Sequence, residues 1–503
     1  MTAKAITLLL ACALTAPALA QTEHTPLFGK HKAKTVAQPV APVAALPAPP
    51  VVAAPAAPVV AAEIPAVPPA EATAAPAGPI GIAQLRAAYA FALPVYEMMR
   101  TRHLQIAKAE SMGAPGVNRL YARTVLADAT TRDVTTPNND TLYSSGWLDL
   151  AGGPVILDMP ALPKRYHSAA LMDVFTNNVA IVGTRTGGKG GRYLIVGPDW
   201  NGTPPDGMTV LRSPTNDAWL LVRVLVDGKA DLAAATGLIR GFTLEVPADH
   251  AAPVATKAVP VAVPDAATFI AVVDEALARS PLAHTVRTRP ELSALGVTPD
   301  AIDSTAVRPA TMALWTKSLP TLHAEFKGGL TKTGTEIDGW SYPGPGIGHY
   351  GESDDADRAR VAVGGLGALP QTEAIYLTAT KDKDGAPLTG AKAYTVHLPA
   401  QLPVGAFWSL TMYQADAAGR LFFVDTPSKR FAIGDRTPEI RAERDGGYDI
   451  FVQPLAPSGE RVVNWLPSPK GPFRLIFRAY LPKAGFLDGS FKLPPVEATE
   501  VIP

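Results

Sequence analysis

Between Thr136 and Thr186, hydrogen-bonding side chains crowd in among short apolar runs with the composition of core strands. Asn138, Asn139, Asp140, Thr141 and Tyr143 open this stretch, and Asp173, Thr176, Asn177, Asn178 and Arg185 close it. A polar group buried among strands costs about 1–3 kcal/mol if it finds no partner. The cluster must therefore either brace the fold or line a site.

Two readings follow from these residue types. Pro137-Asn138-Asn139-Asp140 is turn chemistry, in which Asn and Asp side chains bond nearby backbone. Alternatively, Asp140 and Asp173 form a carboxylate pair, one acid and one base, beside Tyr143 and Arg185. Such pairs cleave glycosidic bonds when held roughly 5–9.5 Å apart. Asn138, Asn139, Asn177 and Asn178 are then candidates to bind the ligand.

The flanking sequence places these residues in a mainly β chain. PVILDM, YLIVG and WLLVRVLV are short β-rich runs separated by Gly, Pro and Asn turns. In FWSLTMY, Trp408, Leu410 and Met412 alternate with Ser409 and Thr411. In PFRLIFRAYL, Phe473, Leu475 and Phe477 alternate with Arg474 and Arg478. A period of two predicts half-buried antiparallel strands, apolar inward and polar outward. Helical spacing marks two further segments. One begins at Ile82 and contains Pro94, which should kink or split it. The other is Asp265–Pro281, with Asp265 as N-cap and Pro281 as its stop.

The N-terminus has the layout of a secretory signal: Lys4, the apolar run Ile6–Leu14, and an Ala18-Leu19-Ala20 cleavage site. The rival reading is a lipoprotein signal ending at Cys12. Cys12 is the only cysteine. Cleavage after Ala20 would leave a mature chain without thiols, which excludes disulfides, thiolate metal sites and cysteine nucleophiles. Residues 21–79, almost wholly Ala, Pro and Val from about Thr35, have the composition of an extended spacer without a core. Lys plus Arg equals Asp plus Glu, at 45 each, so no basic excess argues for nucleic acid. No stretch has the roughly 20 apolar residues of a membrane span.

Other chemistry is weakly signalled. There is no H-E-x-x-H or G-x-S-x-G, and no metal or other cofactor is expected. GGKGGR, Gly187–Arg192, lacks the G-K-[ST] of a phosphate loop. Arg165-Tyr166-His167 is an anion-binding candidate or a surface cluster at a strand start. Trp340, Tyr342, His349 and Tyr350 fall in a Gly/Pro-rich loop, where aromatic residues stack on flat ligands such as sugars or cover a domain junction.

Thr136–Leu150, TNNVAIVGTRT and YLIVGPDW at Tyr193–Trp200 resemble the family called domain of unknown function 1254. AFWSLTMY at Ala406–Tyr413, NWLPSPKGPF at Asn464–Phe473 and LIFRAYLP at Leu475–Pro482 resemble its companion, domain of unknown function 1214. GHYG at Gly348–Gly351 and GLGA at Gly365–Ala368 are similar to the segment leading into it. Two departures stand out: Asp354, Asp355 and Asp357 before Arg358, and Asp445-Gly446-Gly447 where DGS is expected. The resemblance implies two antiparallel, jelly-roll-like β-sandwich domains joined by a helical segment, and no established activity. The expected organisation is a signal peptide at 1–20, a spacer at 21–79, a β domain with a leading helix at 80–255, a helical linking segment at 256–370 and a second β domain at 371–503. The expected function is binding or processing of a glycan or small polar ligand in an interdomain cleft. The alternative is a non-catalytic interaction protein of the cell envelope.

Overall fold

The computed structural model describes residues 79–501, except 112–115, 133, 328–332, 352–353 and 418. The expected signal peptide and nearly all of the expected spacer lie outside the described residues. The first half carries nine strands: β1 (Leu120–Ala122), β2 (Thr141–Asp149), β3 (Val155–Met159), β4 (His167–Asp173), β5 (Asn178–Gly183), β6 (Gly191–Val196), β7 (Thr209–Arg212), β8 (Asp217–Leu225) and β9 (Thr243–Glu245). They form a five-stranded sheet in the order β1-β2-β8-β4-β5 and a four-stranded sheet in the order β7-β6-β3-β9. Leu142, Leu171, Leu220 and Val222 of the first sheet share one core with Val155, Leu157 and Ile195 of the second.

The second half adds β10 (Gly334–Ile337), β11 (Trp340–Pro343), β12 (Ala374–Ala379), β13 (Ala393–Leu398), β14 (Val404–Ala415), β15 (Leu421–Phe423), β16 (Ala432–Gly434), β17 (Tyr448–Gln453), β18 (Trp465–Pro467), β19 (Arg474–Pro482) and β20 (Val496–Thr499). A seven-stranded sheet runs β10-β11-β12-β19-β14-β15, with β16 also on β14, and a four-stranded sheet runs β18-β17-β13-β20. They too share a core, with Trp408, Leu410 and Phe477 packed against Val396, Ile450 and Val452. The protein is thus mainly β with helical additions, as its periodicity predicts. Two ladders, β6–β7 and β17–β18, are parallel rather than antiparallel.

Helix α1 (Ile82–Ser111) runs unbroken through Pro94, against expectation. The missing N–H costs one helical bond, but the residues around Pro94, from Ala88 to Met99, are buried on every side. Packing outweighs local propensity there. Helix α1 packs against α3 (Ala266–Ala278), α5 (Pro309–Phe326) and the helix Asp355–Gly365, so it belongs to a helical core, while its Gln105 accepts from Ser145 and Trp147 of β2. In chain order, α2 is Leu232–Arg240, α4 is His284–Arg287 and α6 is Asp355–Gly365. Asp265 caps α3 through the Thr268 N–H, as predicted. The segment 256–370 is not purely helical: β10 and β11 lie inside it and pair into the seven-stranded sheet through β12.

The strands predicted to be half-buried are buried on both faces. On β14, Ser409 and Thr411 are each only 1% exposed. Their face meets the outer face of the five-stranded sheet. Ala170 of β4 packs with Ala374 of β12, Phe407 of β14 and Tyr480 of β19. The polar sides of both sheets therefore form an internal seam.

Candidate functional site at the seam between the two sheets

Strand alternation aims the seam residues. On β8, Leu220, Val222 and Val224 enter the first core, so Trp219, Leu221 and Arg223 face the seam. On β19, Leu475 and Phe477 enter the second core, so Ile476, Arg478 and Tyr480 face it. Between them lies a cavity of about 120 Å³. Tyr143 and Asn138 complete its wall from the first sheet's side, and Tyr376 and Thr378 from the second.

Arg223 is 4% exposed and Arg478 is 2% exposed. Among the described residues, neither forms an ion pair with a carboxylate. The nearest carboxylate charges act only through space, Glu373 on Arg223 and Asp140 on Arg478. Arg223 donates one bond, from Nη2 to the Gly367 carbonyl (2.8 Å), and its Nη1 is buried with no partner. Its guanidinium lies 5.4 Å from the centre of the Tyr143 ring. Arg478 donates to Thr411 Oγ1 (2.9 Å), to the Tyr413 hydroxyl (2.7 Å) and to the Thr136 carbonyl (3.4 Å). Burial raises the Tyr376 and Tyr480 phenols above their ordinary value, so both stay neutral hydroxyls at neutral pH. The titratable residues lining the cavity are arginines and tyrosines, with no carboxylate or imidazole. Such a lining has the charge and the hydrogen-bonding groups to accept an anion, and it supplies no carboxylate base.

The predicted carboxylate pair is not assembled. The Val226 N–H donates to the Asp140 carbonyl, whereas Asp173 stands opposite Ala218. Eight residues of extended chain separate these two positions, roughly 26 Å. Asp140 accepts the Ser409 hydroxyl (2.6 Å) and lies 3.6 Å from Arg436, tying the first sheet to the second. Asp173 accepts from the Asn177 backbone (2.8 Å) and side chain (3.0 Å). Burial still raises its carboxyl above the ordinary value.

The other candidates divide. Asn138 lines the cavity and donates to the Tyr480 hydroxyl (2.6 Å), while Asn139 Oδ1 is buried without a partner. Asn177 accepts the Tyr350 N–H (2.9 Å), and Asn178 donates to the Gly348 and Ala368 carbonyls (3.0 and 2.9 Å). These two asparagines thus hold loops whose Ile347 and Ala368 wall the cavity. Arg185 pairs with the fully buried Glu373 (2.8 Å), which also accepts the Tyr166 hydroxyl (2.7 Å). Arg165 is taken by Asp231. Trp340 is a strand residue of the core, bonded to the Pro494 carbonyl (2.8 Å), not a loop platform. His349 is exposed, whereas Tyr350 is buried against Arg358. Among the described residues, no cluster of His, Cys, Asp and Glu is arranged to hold a metal. The departures at Asp354, Asp355 and Asp357 open α6, where Asp355 pairs with Arg289 (2.5 Å).

Neither Arg223 nor Arg478 is among the site residues expected from sequence. The signal was present: a lone arginine inside WLLVRVLV and another inside LIFRAYL. Alternation by itself points Arg478 at solvent.

Residues 117–246 match the family described as Protein of unknown function (DUF1254), and residues 373–484 match Protein of unknown function (DUF1214). The chain carries a DUF1254 domain followed by a DUF1214 domain. Asn138, Tyr143 and Arg223 come from the DUF1254 domain, and Tyr376, Arg478 and Tyr480 from the DUF1214 domain, so both build the cavity. The crystal structure of the VPA0106 protein from Vibrio parahaemolyticus is similar in fold, with a TM-score of 0.61 and 22% identity over 83% of this chain and 99% of that one. A protein from Burkholderia cenocepacia aligns at a TM-score of 0.43 and 11% identity, over 84% and 91% of the two chains. No curated protein matches the chain.

Proposed function

We propose that this is an exported binding protein whose interdomain cavity takes a small organic anion, a carboxylate with an apolar body. The observation that carries this reading is the pair of buried arginines on one cavity, neither of them neutralised by a carboxylate. An unpaired buried cation is costly, and a carboxylate is the planar partner that a guanidinium fork fits best. The free Nη1 of Arg223 gives that partner a donor. Trp219, Leu221, Leu366 and Ile476 supply the apolar remainder of the wall. This narrows the glycan or small polar ligand expected from sequence, and it favours binding over acid–base catalysis. Asp140, Asp173 and Arg185 do not line the cavity. Export is supported by the Lys4, Ile6–Leu14 and Ala18-Leu19-Ala20 pattern, the layout of a signal that leads to the periplasm or outside the cell. The sharing of one core by two sheets in each half supports a jelly-roll-like reading of both β domains.

A thermal-shift series tests the binding. Butanoate and benzoate should raise the melting temperature saturably, because a ligand bound only by the folded state stabilises it. The corresponding amides should not, and Arg223→Gln or Arg478→Gln should abolish the response. Equal shifts with the amides, or shifts that survive both substitutions, would overturn the reading.

A further inference from the structure

A second cavity, of about 300 Å³, lies behind the first. Val134, Thr135 and Leu366 line both. Building on the anion reading above, we propose that the two cavities are successive chambers of one site for a linear aliphatic carboxylate. The carboxylate sits on Arg223 and Arg478, and the hydrocarbon tail passes Leu366 into the second chamber.

The two chambers differ in the way such a ligand requires. The first holds the unpartnered donor and the two cations without carboxylates. In the second, most polar groups have protein partners, and Lys327 is a further cation on its wall. Glu97 pairs with Arg100 (2.7 Å), and Asp416 with Arg420 (3.0 Å). The Tyr96 hydroxyl exchanges bonds with the Val261 backbone (2.8 and 2.9 Å), and Tyr89 bonds His323 (3.2 Å). Apart from Lys327, what remains on offer there is apolar surface from Leu93, Phe269, Leu319, Ala362 and Val363. The shared wall is thin and irregular. Val134 and Thr135 lie outside helix and strand, and Leu366 follows the end of α6. One side-chain bond, from Thr136 Oγ1 to the Gly364 carbonyl (2.6 Å), clasps the two segments. Thr136 has φ 55°, a left-handed conformation that a β-branched residue rarely takes and that tends to concentrate at ligand sites.

Calorimetry with unbranched alkanoates from butanoate to dodecanoate on the full mature chain tests this. In the wild type, affinity should rise about four-fold per added methylene, the value of a buried CH₂, well beyond the shortest acids. Ala362→Phe fills only the second chamber, so it should keep butanoate affinity and lose the rise. A wild-type profile that is flat after the short acids would overturn the two-chamber proposal while leaving the anion site standing. So would a rise that Ala362→Phe leaves intact. Tighter binding of a dicarboxylate of equal length would put a charge near Lys327 instead of a methyl group, and would also overturn it. If no acid of any length binds, the anion reading itself fails. The wild-type profile decides the matter alone if Ala362→Phe does not fold.

Discussion

Arg223 stands directly opposite Tyr143 across the β2–β8 ladder, with its guanidinium over the tyrosine ring. The second sheet repeats the pairing, with Arg478 opposite Tyr376 across β12–β19. Two Arg–Tyr pairs, one from each domain, thus meet at one buried cavity. Tyrosine rings shield a cation without neutralising it, which leaves its charge for a ligand.

The first prediction is that this arrangement is held at a cost in stability. Arg223→Met keeps the volume and removes an ill-solvated charge. Chemical denaturation should find the unliganded variant as stable as the wild type or more so, by up to about 3 kcal/mol. A loss of that size instead would show that Arg223 is a structural brace.

Asp140 ties the sheets together through Ser409 and Arg436. Asp140→Asn keeps an acceptor for Ser409 and loses the charge-assisted contacts, so it should cost roughly 1–3 kcal/mol. The carboxylate-induced thermal shift should persist wherever the variant is folded. A variant as stable as wild type that has lost its ligand response would put Asp140 in the site.

Arg185 and Glu373 link the two domains at a position where the carboxylate is fully buried. Arg185→Ala strands that charge and should cost about 3 kcal/mol. Adding Glu373→Gln should recover part of the loss, since an amide needs no counter-charge and can still accept from Tyr166. Strictly additive losses in the double-mutant cycle would mean the pair carries no coupling.

For Asp173, burial is the larger influence and raises the carboxyl, against the Asn177 bonds that lower it. The folded state then holds this proton more tightly than the unfolded chain. The stability it contributes is complete below the ordinary carboxylate value of 3.8 and is lost as pH rises through the folded value. Asp173→Asn does not titrate. The melting temperature of wild type minus that of the variant should therefore fall between roughly pH 3 and pH 7. A difference that grows with pH would show the Asn177 bonds outweighing burial.

Local chemistry was legible in the chain. The period of two in FWSLTMY and LIFRAYL marks β14 and β19, the Asp265 cap and apolar stripe mark α3, and the motifs name both domains. Of the four asparagines singled out by sequence, Asn138, Asn177 and Asn178 make side-chain bonds, whereas Asn139 Oδ1 is buried without a partner. What alternation cannot convey is what covers a strand's second face. Arg478 and Ser409 read as solvent-facing because period two specifies only that successive residues point apart.

The sequence by itself determined most of the strands, the Asp265 cap of α3 and the pairing of two domain types. Only the tertiary structure decided that the polar faces of two sheets close on each other. It thereby separated Asp140 from Asp173 by the length of β8 and brought Arg223 to Arg478 across 255 residues of chain. The reason is physical: alternation and capping act over a few residues, whereas burial of a charge depends on which distant surface excludes water from it.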